Sequence, residues 1–282
     1  MYKRNHLNII FALALLVLSL GGNPLIAQSS FEDFTYYKSA VKERQVVPYR
    51  FIREANIKYA KRIHRIIDTR EKQNKVMHWP RNPLHKIIYE SVMDGEVKAY
   101  RNDSLSSFYT PEEVAERGIV KENTTIQDPL YPDDPDMVID TTINIPFESK
   151  YITKYRIMED WLFDYNYGDF RARIIAIAPL YRPVVGGVEL GDQPLFYAKL
   201  DDLRPIFVNQ ELFNRFNDAA RISFDDFFQM RMFSSYIVKQ SNQDDIDLKY
   251  MEQFEEDGVR LLLESDRIKN KLFILEHDLW EY

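Results

Sequence analysis

From Arg50 to Lys75 the apolar positions Ile52, Ala55, Tyr59, Ile63 and Ile66 recur at steps of three and four, with most of the lysines and arginines between them. That spacing predicts one amphipathic helix with a basic face. In "NPLHKIIYESVMDG" (82–95) Asn82 can cap, Pro83 suits the first helical position, Leu84, Ile87, Ile88 and Val92 form an apolar face, and Gly95 stops the helix. "EVKAYR" (96–101) alternates like a strand, and "TPEEVAERG" (110–118) repeats the helix signals with Thr110, Pro111 and Gly118. "KYRIMEDWLFDY" and "FRARIIAIAPLYR" read as a hairpin-like pair around the turn "NYGD" (166–169), with a helix as the alternative for the first arm, and "PLFYAKL" (194–200) reads as a further strand. Ser223 and Asp226 have capping-box spacing, and Phe224, Phe227, Phe228, Met232 and Tyr236 follow at helical steps. A Met and Phe stripe at that spacing is core. The closing "RLLLESDRIKNKLFILEHDLWEY" (260–282) is a second amphipathic helix, and its aromatic end, with Leu279, Trp280 and Tyr282, is expected to dock.

The expected class is therefore α+β: an N-terminal helical arm over 28–78, a mixed body from 79 onward, and an aromatic-rich helical C-terminal part over 221–282. "MHWPRNP" (77–83) is the joint, with Trp79 packed in it. The first thirty residues have Lys3 and Arg4, an apolar stretch from Ile9 to Leu20, a Gly21-Gly22 break and Ala27 at a cleavage position, the pattern of a secretory signal peptide over 1–27. That stretch and "IIAIAPLY" (174–181) are too short to span a bilayer comfortably.

Composition narrows the partners. The chain of 282 residues has no cysteine, so neither a disulfide framework nor a lipid-bearing N-terminal cysteine is available. Removing 1–27 shifts the balance from 37 basic against 44 acidic residues to 35 against 44, a net charge of −9 that makes nucleic acid an unfavourable partner. The charge is uneven. Arg50 to Lys75 holds nine basic residues against three acids, whereas "ENTTIQDPLYPDDPDMVID" (122–140) holds six acids, three prolines and no basic residue. The prolines predict a polar extended loop and do not fit the twelve-residue calcium loop. The candidate binding residues are Arg53, Lys61, Arg62 and Arg65 on the basic segment and Asp133, Asp134 and Asp136 on the acidic one.

Catalytic motifs are missing: there is no Gly-x-Ser-x-Gly, His-Glu-x-x-His, phosphate loop or dinucleotide fingerprint, and "VVGGVELGD" (184–192) reads as a tight surface loop. His64, His78, His85 and His277 lack metal-ligand spacing. No cofactor or metal is expected, and an enzyme is disfavoured.

"REANIKYAKRIHRIIDTREKQN" (53–74), "RIIAIAPLY" (173–181), "RISFDDFFQMRMFSSYIVKQSN" (221–242) and "LLLESDRIKNKLFILEHDLWEY" (261–282) resemble the GldN, or PorN, gliding-motility family of Bacteroidetes. The resemblance implies a periplasmic, non-catalytic component of the type IX secretion system. It also implies three partners: an outer-membrane lipoprotein of the GldK or PorK kind, the periplasmic part of an inner-membrane motor protein of the GldM or PorM kind, and further copies of the chain in a ring. The rival classes are a periplasmic ligand-binding protein and a cell-envelope hydrolase. In a ring, a basic segment meeting an acidic loop repeats the same two unlike patches around the circle.

Overall fold

The basic segment is a strand. In the computed structural model Ile57–Asp68 forms β1, an interior strand of an antiparallel sheet, preceded by a single turn at Glu54–Asn56 and followed by another at Asn74–His78. The helix expected over 52–66 is therefore corrected, and the reason lies in the spacing itself. Tyr59, Ile63 and Ile67 stand four apart, a step that keeps side chains together on a helix and also on a strand. Isoleucines at 57, 63, 66 and 67 favour the strand, where their branched side chains pack against neighbours on both sides.

The structure describes residues 44–127, 138–145, 147–185, 188–254 and 257–280, which belong to one compact unit. The expected signal peptide (1–27) and Asp133, Asp134 and Asp136 lie outside the described residues. The long strands are β1, β2 (Val120–Gln127), β3 (Val138–Ile145), β4 (Lys154–Asp164), β5 (Asp169–Tyr181) and β6 (Tyr236–Gln240); the helices are α1 (Leu84–Met93), α2 (Pro111–Gly118), α3 (Leu200–Phe207), α4 (Phe224–Gln229) and α5 (Gly258–Trp280). Gln193–Pro194, β5, β4, β1 and β6 lie side by side in that order, and Ala198–Lys199 pairs with β5 as well. The β4–β5 hairpin is formed as its sequence predicts, with Gly168 at φ +60 in the turn.

β2 and β3 pair along their full length, from Val120 opposite Ile145 to Gln127 opposite Val138. The stretch 122–140, expected as loop throughout, is thus strand at both ends. Threonine, isoleucine and valine at 124–126, 138–139 and 141–143 outweigh the neighbouring acids. "PLFYAKL" is not one continuous strand: Gln193–Pro194 and Ala198–Lys199 pair with β5, Tyr197 between them exchanges backbone hydrogen bonds with Tyr100 instead, and α3 begins at Leu200.

The helix signals hold for α1 and α2 with two revisions. Asn82 does not cap α1; its side-chain amide donates to the Glu211 carbonyl (2.8 Å), and the extended Pro83 stands at the cap position. Gly95, at φ +75, ends α1 as expected: its N–H donates to the Val92 carbonyl and that of Glu96 to the Ser91 carbonyl. Thr110 and Glu113 close a capping box on α2. Gly118 acts by size, since a Cβ there would stand 2.5 Å from the Phe147 side chain.

Two large apolar clusters hold the unit together, with a small third one of Tyr100, Ala178 and Tyr197. One face of the sheet carries Ile67, Tyr155, Ile157, Ile174 and Ile177 against α1, α3 and α4, whose Phe207, Phe224, Phe227 and Phe228 form an aromatic group with Phe233. The other cluster joins Ile63, Phe163, Phe170 and Ile237 to Ile268 and Leu272 of α5, with Leu275 and Leu279 half-buried beside them. Ser265 of α5 accepts a hydrogen bond from the Ile237 N–H (2.8 Å), so α5 satisfies a ladder donor that β1 leaves open and covers the edge of β6.

The Phe stripe expected to run as helix from Phe224 to Tyr236 stops at Gln229. Met232 N–H reaches the Phe227 carbonyl and Arg231 N–H the Phe228 carbonyl, a Schellman close with Arg231 at φ +53, and Tyr236 opens β6. Branched Ile237 and Val238 suit that strand.

Candidate interaction surface

Strand geometry disperses the four basic residues that the sequence groups on one face. Lys61 and Arg65 share one side of β1 with Ile63, while Arg62 points to the other, where it is exposed and makes a two-pronged pair with Asp160 (2.8 Å each). Arg53 is exposed, just before the turn that leads into β1. Lys61 is half-buried opposite Trp161. Arg65 is buried.

Arg65 belongs to a group of buried charges. Its Nε lies 2.8 Å from Glu159 Oε1, and Arg231 Nη1 lies 2.8 Å from Glu159 Oε2. Trp161 Nε1–H donates to the same carboxylate (2.8 Å), which has no exposed surface. Burial pulls the Arg65 guanidinium down from its usual range; Glu159 opposes that shift and Arg231 adds to it. The group floors a cavity of about 360 Å³ whose other wall is α5, with Lys269, Phe273 and Glu276. Both arginines share the one Glu159 carboxylate, so the floor keeps a net positive charge, with Arg231 the more exposed of the two cations.

Arg231 occupies a backbone region that suits glycine, and its side chain stacks near Trp161 and Phe233, at 5.5 and 5.3 Å. Its strain and its contacts can be separated. Arg231→Ala loses the contacts and keeps the strain, whereas Arg231→Gly loses the contacts and relieves it. The alanine variant is therefore expected to be less stable than the glycine variant by about 1 kcal/mol in urea denaturation; equal stabilities would show that φ +53 costs nothing here.

On the opposite face of β1, His64 is buried beside Arg156, whose Nε donates to His64 Nδ1 (3.2 Å) and whose fork grips Asp247 (2.9 and 2.6 Å). Lys239 stands alongside, paired with Asp245 (2.7 Å) and facing Asp103 (3.6 Å). Burial, then the Arg156 and Lys239 charges, lower the His64 pKa to about 4, and Asp103 and Asp247 only partly oppose this. The unfolded chain takes up the proton below about pH 6.5 and the folded chain does not, so stability present above that pH drains away as pH falls toward 4. The expected loss from His64 at pH 4 is on the order of 3 kcal/mol. His64→Asn, which keeps an acceptor for Arg156 and cannot titrate, should flatten that part of the profile in urea melts at stepped pH. The structure also brings His78 and His85 together, ring centroids 5.3 Å apart, although two prolines separate them in sequence. No group of three possible metal ligands occurs among the described residues.

Near the predicted basic residues, exposed apolar side chains gather at the tip of the β4–β5 hairpin and on the segment that leads to it. Tyr165 and Tyr167 are exposed there, with the Arg50 guanidinium 3.4 Å from the Tyr167 ring centre and Lys58 Nζ 5.7 Å from that of Tyr165. A strap over 44–53 leads to this tip. Arg204 donates to the Val47 carbonyl (2.7 Å), Gln229 to the Tyr49 hydroxyl (2.5 Å) and Arg173 to the Arg50 carbonyl (2.6 Å). Val47 and Phe51 stay exposed along it. Exposed aromatic rings interleaved with cations are the composition of a protein contact. Sequence reading passed over the tip because its tyrosines sit in a turn; the one signal was a Tyr-Asn-Tyr-Gly loop among strand arms. Trp79 is half-buried, 6.0 Å from the Phe213 ring, which agrees with a packed tryptophan at 77–83.

A family model described as gliding motility associated protein GldN matches residues 52–281. The chain belongs to this family. The match spans the sheet, both large apolar clusters and the hairpin tip, so the fold described above is that of a GldN-family chain, and its association with gliding motility follows from the family's description. A comparison with curated proteins finds no match. No helix among the described residues is long and apolar enough to cross a membrane.

Proposed function

We propose that this chain is a non-catalytic structural component of the type IX secretion and gliding motility machinery, working in the periplasm once residues 1–27 are removed. It forms a ring complex with an outer-membrane lipoprotein of the GldK or PorK kind and with further copies of itself, and contacts the periplasmic part of a GldM- or PorM-like motor protein. The observation that carries this reading is the family match over 52–281. The absence of cysteine supports it, because a chain with no lipid-bearing residue of its own needs a lipoprotein to hold it at the outer membrane. The hairpin tip supports a protein partner.

Co-expression with an outer-membrane lipoprotein of the GldK or PorK kind is the test. A large, stable complex on size exclusion is the expected result; a lone monomer that binds glycans or metal would favour the rival classes. Within the complex, the exposed cations Arg50, Arg53 and Lys58 are placed to face an acidic partner surface, with Asp133, Asp134 and Asp136 of the next copy as one proposed counterpart. Changing all three cations to glutamate is expected to weaken assembly at least roughly tenfold, most at low ionic strength. Assembly unaltered at low salt would remove the tip from the interface.

A further inference from the structure

α5 is apolar on two sides. Ile268 and Leu272 are buried against the sheet, yet Val259, Leu262, Leu263, Phe273 and Ile274 are between 55 and 68 % exposed on the far side. These are not scattered. Val259, Leu263, Asp266, Asn270, Phe273 and His277 follow each other at alternating steps of four and three, the seam of a coiled coil, with Leu262 and Ile274 flanking it.

The seam has a mirror order. Counting outward from Ile268, Asp266 stands opposite Asn270, Leu263 opposite Phe273, Leu262 opposite Ile274, and Val259 opposite His277. A second α5 running the other way along the first would therefore set apolar residues against apolar ones at four of its levels. The Asp266 carboxylate would come level with the Asn270 amide of the other copy, twice by symmetry, so that the polar centre of the stripe meets a polar centre, and at each end the Val259 side chain comes level with His277. A heterologous partner has no need of this order, whereas a twofold contact requires it: whatever stands at one distance from the axis meets what stands at the same distance beyond it. A polar pair at a seam position favours this register: sliding by one heptad sets Asp266 against Leu263 and Asn270 against Val259 in one direction, and Asn270 against Phe273 in the other.

We infer that two copies of this chain associate through an antiparallel pairing of α5, centred on Ile268. The contact is independent of the ring proposed above: a twofold interface joins two copies and closes, and it needs neither lipoprotein nor motor protein. Five large apolar side chains from each copy leave water, and two helices of this length bury an area at the low end for specific interfaces. The dissociation constant is therefore expected on the order of micromolar.

The chain is free of cysteine, so single cysteines report geometry without interference. In sedimentation equilibrium of the purified chain, a monomer–dimer equilibrium is expected, with Leu263→Asp raising the dissociation constant roughly a hundredfold or more. Leu263 is exposed, so circular dichroism of that variant should match the parent. Under mild oxidation, Leu263→Cys mixed with Phe273→Cys is expected to give a crosslinked heterodimer, and neither variant alone should crosslink appreciably. Monomer mass up to roughly a hundred times the expected constant, or crosslinking by each variant alone as strong as in the mixture, would overturn the inference.

Discussion

Replacing Glu159 with glutamine is expected to cost about 3–5 kcal/mol of unfolding free energy. The carboxylate has no exposed surface, lies 2.8 Å from Arg65 and 2.8 Å from Arg231, and accepts from Trp161 Nε1. Glutamine keeps the volume and removes the charge, so the Arg65 guanidinium stays in the interior without its counterion, and one amide N–H₂ faces a cation. Arg231 is partly exposed and can turn to water; Arg65 is 7 % exposed and cannot. Chemical denaturation measures the loss, and in a unit of this size the melting temperature should fall by roughly 10 °C. A second variant identifies the cause. Changing Arg65 and Glu159 together to methionine removes both charges at once, and the double variant is expected to be more stable than Glu159→Gln alone. If the double variant is the weaker of the two, the attraction and not the stranded charge dominates.

Phe228→Ala is the other large effect, again about 3–5 kcal/mol. Phe228 is 1 % exposed, nearly parallel to the Phe207 ring at 5.6 Å and in contact with Phe227 and Phe233. α4 has only six residues, too few to be helical alone, so the capping box of Ser223 and Asp226 positions it and the aromatic group holds it. Emptying the Phe228 site should loosen α4 and, through Arg231 at its end, the Glu159 group. A double-mutant cycle between Phe207→Ala and Phe228→Ala is expected to give a coupling of about 0.5–1.5 kcal/mol. Additive losses would mean that the stacked pair contributes only buried area.

Much of the molecule was legible locally. α2, the glycine stop of α1, the β4–β5 hairpin and the Ser223–Asp226 box each depend on residues within a few positions of one another, where capping, turn chemistry and alternation act directly. β1 was not legible, because a four-residue spacing suits two kinds of element, and what settles between them is β4, about ninety residues further along the chain, which pairs with β1 over its whole length. The basic residues followed: misreading the element grouped Arg53, Lys61, Arg62 and Arg65 on one face, and the strand sends Arg62 to one side and Arg65 into the core.

The sequence by itself determined the family, the α+β class, the cysteine-free and uneven charge pattern, and the helices and turns whose signals are short-range. Only the tertiary structure decided which arginines are buried, that Glu159 gathers two of them, and which face of α5 is left open. Those outcomes depend on which distant strand lies alongside, and a side chain's surroundings in a sheet come from its neighbours across the ladder and not from its neighbours along the chain.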